Sequence, residues 1–412
     1  MSDPAQGAQY APLAPQAAIA EADRCLFCFD APCASACPTH IDVPRFIKKI
    51  ATGNLMGSAR TILDANVLGL SCSRVCPVDV LCEGACVMHN LHQRPIAIGK
   101  LQRHAMEHFY DAGGALPRNA APLPWKIACI GGGPASLACA AELRAHGAAA
   151  VIFDQRPLPG GLNTYGVAQY KLTPEESKRE VELIRAAGVE FRSGVEIGKD
   201  ILLEDLISGY DAVFLGIGLG GTQPLAIPGE QLAGIHTALS FIADYKNRKP
   251  IDIGDRVIVI GGGNTAIDAA IAARHLGARD VTILYRRSER DMSAFAFEYE
   301  HAKREGVKFI WNARPIAFHG HNHVGAVECE YVPLMACDTV ILAIGQSRLV
   351  DLLRSIHGLE LHGGLVKVDP ESGQTGNPQF FAGGDCVNGG REVVDAVAAG
   401  KRAAKGILKW LT

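Results

Sequence analysis

The chain has 412 residues, a formal net charge of −3, 20% charged and 48% hydrophobic residues. That length calls for two or three domains, and the balance is that of an ordinary soluble globular protein. It leaves no basic stripe for nucleic acid and no apolar run of the roughly 18 residues that cross a bilayer. The N-terminus, Met1-Ser-Asp-Pro4, lacks the basic region and apolar core of a secretory leader, so a cytoplasmic protein with reduced cysteines is expected.

Residues 1–20, rich in Ala, Pro and Gln, are expected to form a loose arm through about Leu13 and then a short helix over Pro15–Arg24. Eight of the thirteen cysteines follow in two blocks. The first is Cys25-Leu-Phe-Cys28-Phe-Asp-Ala-Pro-Cys33-Ala-Ser-Ala-Cys37-Pro38; the second is Cys72-Ser-Arg-Val-Cys76-Pro77-Val-Asp-Val-Leu-Cys82-Glu-Gly-Ala-Cys86. A disulfide scaffold does not suit a cytosolic chain. Zinc suits the Cys25/Cys28 pair but has no redox chemistry to share with the nucleotide motifs downstream. Thiolates this dense, with proline after Cys37 and Cys76, read as ligands of two [4Fe-4S] clusters. In two-cluster ferredoxins the cysteine before proline serves the other cluster. By that logic Cys25, Cys28 and Cys33 hold one cluster and Cys37 crosses to the second. The second block then lends one thiolate back, and spacing does not say which, nor whether all eight are used.

Asp42–Ile50, Leu55–Leu63 and Ile96–Tyr110 have helical apolar spacing, which makes residues 1–112 a small all-α domain wrapped around metal. Gly113–Pro124 reads as a linker. The texture then changes. Lys126–Ile130 is a buried strand, Gly131-Gly-Gly133-Pro-Ala-Ser136 opens an Ala-rich helix to His146, and Ala149–Phe153 is a strand ending in Asp154, 23 residues after Gly131. This is the dinucleotide fingerprint in its proper setting, with the pyrophosphate on the helix N-terminus and the acid on ribose hydroxyls.

A second copy follows: strand Arg256–Ile260, Gly261-Gly-Gly263-Asn264-Thr-Ala266 opening a helix through His275, and strand Asp280–Tyr285. Here Arg286 and Arg287 stand where an acid would favour NAD; arginine accommodates a 2′-phosphate. The pair favours NADPH and leaves NADH open. Asp338–Gly345 and Phe380–Asp385 read as strands returning to the first unit, followed by a helix from about Arg391 to Leu411 whose N-terminus would face the flavin ring. The expected α/β architecture is therefore an N-terminal iron–sulfur domain and two Rossmann-like domains. The NAD(P) domain (236–335) is inserted in a split FAD domain (125–235 and 336–412).

These stretches, with Asn66–Cys72, Pro95–Gln102 and Phe381-Ala-Gly-Gly-Asp385, resemble the N-terminal half of dihydropyrimidine dehydrogenases and the flavin-bearing small subunit of their bacterial two-subunit form, over nearly the whole chain. The small subunit of glutamate synthase shares the architecture; its first cysteine block is less similar and it usually runs longer. The resemblance implies one cluster on Cys25, Cys28, Cys33 and Cys86. It implies another on Cys37, Cys76, Cys82 and Gln102, with Cys72 a bystander. For FAD it implies Val75, Gly131, Gly133, Pro134, Ala135, Ser136, Asp154, Gly160, Gly161, Leu162, Lys171 (where the family usually has Arg), Ile197, Gly384, Asp385 and Val393. For the nicotinamide it implies Gly262, Gly263, Asn264 (in place of the usual Asp), Thr265, Arg286, Arg287, Ala343 and Gly345.

The implied chemistry is oxidation of NAD(P)H at FAD and relay of electrons through the clusters, needing no general acid or base on this chain. The family's pyrimidine site lies in an FMN-binding barrel of roughly 250 residues, for which no room remains after Thr412. A separate FMN- and iron–sulfur-containing barrel subunit is implied, reducing uracil and thymine to their 5,6-dihydro forms. Alternatives are the small subunit of glutamate synthase and a ferredoxin-linked NADPH oxidoreductase. Among the remaining residues, His319, His321 and His323 read as a hairpin tip. Cys129, Cys139, Cys329, Cys337 and Cys386 read as buried small hydrophobes, Phe295 and Phe297 as packing for a helix start, and Met88, His89 and His92 as surface.

Overall fold

The computed structural model describes residues 11–117 and 120–412, so most of the expected N-terminal arm and two positions of the linker lie outside the described residues. The first unit is helical: α1 (Pro15–Asp23), α2 (Pro32–Ser35), α3 (Val43–Ala51), α4 (Leu55–Ala65), α5 (Gly69–Val75) and α6 (Ile98–Asp111). Local chemistry sets the helix starts. The Asp42 side chain accepts from Arg45 N at 3.1 Å, with Pro44 in the first turn of α3, and Asn54 accepts from Gly57 N at 2.9 Å to start α4. Phe46, Ile47 and Ile50 then put one face of α3 fully into the core, each side chain contributing roughly 2 kcal/mol. Met88 is buried in this core rather than on the surface, because it packs against the cysteine loop.

Next come β1 (Lys126–Ile130), α7 (Pro134–Ala145), β2 (Ala149–Asp154), α8 (Leu162–Tyr165), α9 (Pro174–Ala186), β3 (Glu190–Ser193), α10 (Leu203–Gly209) and β4 (Ala212–Leu215). Then β5 (Ile235–Thr237), α11 (Ala238–Lys246), β6 (Arg256–Ile260), α12 (Asn264–His275), β7 (Asp280–Tyr285), α13 (Ala296–Arg304) and β8 (Lys308–Trp311) lead to an antiparallel excursion, β9 (Pro315–Gly320), β10 (Val324–Cys329) and β11 (Val332–Ala336), and back to β12 (Thr339–Leu342). The chain finishes through α14 (Val350–Arg354), the small hairpin β13 (Leu361–His362) and β14 (Leu365–Val366), β15 (Phe380–Ala382), α15 (Asp385–Asn388) and α16 (Val393–Leu411).

Two five-stranded parallel sheets result, ordered β15-β4-β1-β2-β3 and β5-β12-β6-β7-β8. The late return of β15 to pair with β4 makes the first unit split around the second. One boundary needs correction. Thr339–Leu342, expected in the 336–412 part of the FAD domain, pairs in parallel with β6 and β5, so it belongs to the inserted sheet. Its apolar run suits either sheet; only the neighbouring strand decides. The β9–β10 hairpin has His321 exposed in its turn and His319 on Glu328 at 2.7 Å, as expected of a hairpin tip. Cys129, Cys139, Cys329, Cys337 and Cys386 are all buried. Among the described residues, no helix is long and apolar enough to cross a membrane.

The helical unit is seated on the first sheet's helices by α5. Glu180 of α9 accepts from Leu70 N at 2.9 Å, from Ser71 N at 3.0 Å, and from the Ser71 hydroxyl. Arg74 bonds Glu107 of α6 at 2.7 Å and also Glu176 of α9. Lys401 of α16 donates to the carbonyls of Asp64 and Ala65 at 2.7 and 3.0 Å. Val67 and Leu68 are buried in the core of the first sheet rather than in the helical core.

Burial pushes the Glu180 carboxyl up to about 7, against hydrogen bonds from Ser71 and Leu70 that pull it down. A carboxyl raised on folding binds its proton more tightly in the folded state, so its stabilising contribution is full below about pH 4.5 and is lost as pH rises through about 7. Glu180→Gln should remove that slope, worth on the order of 3 kcal/mol across the window. Denaturant titrations of the intact protein from about pH 5.5 to 8 should show a flatter stability profile for the variant; an identical slope would refute the assignment.

Candidate functional site

In each parallel sheet a glycine turn follows the central strand, and its first glycine has no free space for a side chain. Gly131 has φ of +90°, and a Cβ there would lie 2.5 Å from Gly216 O at the end of β4. Gly261 has φ of +150°, and its Cβ would lie 2.3 Å from Ala343 O at the end of β12. Both are left-handed positions pressed against the neighbouring strand's backbone. The amide of Gly132 donates to Asp154 Oδ2 at 2.7 Å, and Asp154 Oδ1 accepts from Arg156 N at 2.8 Å. Burial nevertheless holds the Asp154 carboxyl above its ordinary range. Desolvation of this kind is what a carboxylate bears in a ligand cleft.

A cleft of about 750 Å³ opens over this turn. Gly131, Gly133, Pro134, Ala135, Asp154, Gly161, Leu162, Ile197, Gly384, Asp385 and Val393 all line it. The sequence-named residues thus come from the turn after β1 and the start of α7, the end of β2, the start of α8 with the residue before it, the segment after β3, the turn after β15 and the start of α16, and converge on one space. Gly160 lies just behind, its amide on Gly132 O at 2.7 Å. Ser136 is fully buried, in contact with the Gly216 backbone, so its small size serves helix–strand packing. Val75 ends α5, half-buried and next to Cys76. Lys171 does not line the cleft; its Nζ lies between Glu298 and Asp268. Burial holds Asp385 above its ordinary range, while the amide of Arg391 donates to its Oδ1 at 3.2 Å.

Sequence reasoning missed part of this lining: Arg156, which lies over the Tyr165 ring at 4.5 Å, and Gly216, Gly218 and Glu392. The glycines of Leu215-Gly216-Ile-Gly218 carry a readable signal, since they end a buried strand beside the fingerprint. The cleft's far wall is α11 of the inserted unit with the residue before it, through Thr237, Ser240 and Ala243.

Gly262, Gly263, Asn264, Thr265, Ala343 and Gly345 gather at the ends of β6 and β12. The Asn264 side chain accepts from Phe295 N at 2.9 Å, and the amides of Ser293 and Ala294 donate to Gly262 O at 3.1 Å. Phe295 and Phe297 stack at 5.8 Å against the start of α13. Arg286 and Arg287 follow β7, exposed, and among the described residues their side chains make no ion pair.

In the helical unit, Cys25, Cys28, Cys33 and Cys86 face one small apolar cavity, walled by Val43, Ile47, Met88 and Ile98. Burial, then Cys25 and Cys86, push the Cys33 thiol up to about 11. Cys37, Cys76 and Cys82 form a second neighbourhood. The Cys76 thiol is raised first by a hydrogen bond with Cys72, then by burial and by Cys82 and Cys37. Cys82 is raised by burial, Glu83 and Cys37. Thiols crowded and buried in this way form thiolates only when a cation compensates them, so metal uptake must release protons. Among the described residues no three His, Cys, Asp or Glu side chains converge on one metal ion. Four thiols around one apolar cavity suit a multi-iron core rather than a single ion. Gln102 is buried, and its Nε2 donates to Gly69 O at 2.8 Å, so that bond engages the amide nitrogen and not the acceptor oxygen.

Residues 6–113 match the family model described as dihydropyrimidine dehydrogenase domain II, 4Fe-4S cluster, and residues 125–400 match pyridine nucleotide-disulphide oxidoreductase. The chain is 34% identical to the glutamate synthase [NADPH] small chain of Escherichia coli (strain K12), over 98% of this chain and 93% of that one. It is 35% identical to the NAD-dependent dihydropyrimidine dehydrogenase subunit PreT of Escherichia coli O157:H7, over 96% of this chain and 95% of that one. Among solved structures, the fold resembles the thioredoxin reductase of T. acidophilum, with TM-score 0.59 and 21% identity over 69% of this chain and 98% of that one. It also resembles Mycobacterium tuberculosis FprA in complex with NADPH, with TM-score 0.57 and 20% identity over 70% and 85%.

Gly131→Ala should cost about 2 kcal/mol or more, from strain and the clash with Gly216 O. The purified variant should carry markedly less flavin per chain, measured by absorbance against protein, with a lower melting temperature. Full flavin occupancy would contradict the close packing of Gly131 against the end of β4.

Proposed function

The chain belongs to the pyridine nucleotide-disulphide oxidoreductase family and is an NAD(P)-dependent flavin and iron–sulfur oxidoreductase, and from that premise we propose that it is the electron-input subunit of a dihydropyrimidine dehydrogenase. Its acceptor is a separate FMN- and iron–sulfur-containing barrel subunit that reduces uracil and thymine to 5,6-dihydropyrimidines. When bound, FAD accepts hydride from NAD(P)H and releases electrons singly, and [4Fe-4S] clusters conduct them.

The observation that carries this reading is the seating of α5. Cys76 caps the C-terminal end of α5, and that helix packs on α9 and α16 of the flavin unit. The start of α16 lines the flavin cleft. On this reading the set with Cys37, Cys76, Cys82 and Gln102 is the near station; Val75 joins Cys76 to α5 and does not itself line the cleft. Cys25, Cys28, Cys33 and Cys86 form the outer station, against α3. Leu26 and Phe29, 54% and 97% exposed beside those cysteines, offer the acceptor an apolar landing. Arg286 and Arg287 hold the 2′-phosphate of NADPH.

The glutamate synthase reading shares every step but the last acceptor. Identity does not separate the two, at 35% to the dihydropyrimidine dehydrogenase subunit and 34% to the glutamate synthase chain; the form of the first cysteine block, Cys25–Pro38, supports the pyrimidine reading. The deciding experiment is co-expression with a candidate FMN barrel subunit. The complex should oxidise NAD(P)H when uracil is added, while this chain alone should reduce only artificial acceptors. Glutamine-dependent oxidation with a glutamate synthase large chain, and none with uracil, would overturn the proposal. For the nicotinamide, Arg287→Glu should lower kcat/KM for NADPH about tenfold relative to NADH; an unchanged ratio would remove the phosphate role.

A further inference from the structure

Residues 168–171 leave the flavin unit and plug into the nicotinamide unit. Ala168 and Tyr170 are buried in the second unit's core. Lys171, also buried, places Nζ 2.5 and 2.6 Å from the two carboxylate oxygens of Glu298 and 2.7 Å from Asp268 Oδ1. The Tyr170 hydroxyl donates to Asp268 Oδ1 at 2.9 Å, and Ala168 N donates to Asp268 Oδ2 at 3.4 Å. In the other direction, buried Lys246 of α11 donates to Asn163 O at 2.8 Å, beside the flavin cleft. One ammonium group and two carboxylates thus meet at a seam between the units, with Lys246 bonded to backbone nearby.

Stability alone does not call for such a cluster, since an apolar plug of similar volume does as well or better. Directed contacts fix distance and angle in a way that apolar packing does not. The elements they fix are specific. Asp268 stands one turn after Asn264 on α12, the helix opened by the second glycine turn. Glu298 lies on α13, whose N-cap amide donates to Asn264 Oδ1. Both acids therefore stand on the helices that build the nicotinamide cradle. Lys171 comes from the loop that continues Gly161–Asn163 out of the flavin cleft. Glu392, at the N-cap of α16 and lining that cleft, feels both Lys171 and Glu298, so the seam lies beside the flavin end.

We propose that Lys171 is a positioning residue that sets the approach of NAD(P)H to the flavin, by tying α12 and α13 to the flavin unit, and that it is not a ligand of FAD. This rests on the reading that NAD(P)H is oxidised at FAD. The test uses the intact holoprotein with Lys171→Met, Lys171→Arg and Glu298→Gln. Flavin per chain, iron per chain and dithionite reduction should match the parent in all three. Mixed anaerobically with NADPH, Lys171→Met should bleach its flavin about tenfold more slowly at saturation, with half-saturation changed by less than about threefold. Glu298→Gln should fall between it and the parent, and Lys171→Arg should restore most of the rate. Loss of flavin from Lys171→Met and Glu298→Gln, or bleaching at the parental rate, would overturn the proposal. Should Lys171→Met fail to fold, Glu298→Gln carries the same expectation and the same refutation. A parent protein that neither nicotinamide bleaches would instead sink the function proposed above, whatever the variants do.

Discussion

The seating of the helical unit on the flavin unit depends on how one seven-residue helix is held. The α5 segment, Gly69–Val75, is too short to persist alone. Glu180 takes its first free amides, Arg74 ties it to α6 and α9, and Leu68 anchors its entry in the flavin unit's core. Its C-terminal end then delivers Cys76. A carboxylate on buried amides holds position well, because leaving either partner unpaired is costly. The same group is sensitive to pH, since desolvation competes with those hydrogen bonds.

The two glycine turns show how one backbone design serves two cofactors. In both, the first glycine presses on the end of the next strand, Gly131 on Gly216 and Gly261 on Ala343. The difference lies at the end of the following strand. β2 finishes in Asp154, which is satisfied by the amides of Gly132 and Arg156. β7 finishes in Tyr285, whose ring packs on Gly262, and is followed by two exposed arginines. Those few residues put a carboxylate after one turn and two guanidinium groups after the other. The rest of each unit is an ordinary parallel sheet under helices.

Most of the architecture was legible because its signals are local. Strand runs, glycine turns and caps such as Asp42 act within a few residues, and cysteine spacing marks the metal unit. Most of the flavin-site residues named from sequence do converge on one cleft. What escaped was non-local. Glu180 meets Ser71 across 109 positions, and Lys171 meets Glu298 across 127. No periodicity in either segment points to the other. Thr339–Leu342 went to the wrong sheet because an apolar parallel strand has the same pattern in both. Met88 read as surface because His89, Asn90 and His92 follow it, while Cys25, Cys28 and Cys33, which share its cavity, are distant in the chain.

The pairing of β15 with β4 has a consequence for synthesis on the ribosome. A polypeptide emerging N-terminus first can complete its helical unit and the inserted sheet before Phe380 exists. Until then β4 is an open edge, and α7 lacks the α16 helix that later covers it. Unpaired edges of this kind invite pairing with other chains. The cleft is incomplete as well, since Gly384, Asp385 and Val393 supply part of its lining. The final stretch of the polypeptide therefore turns a nearly finished, association-prone intermediate into a closed flavoprotein.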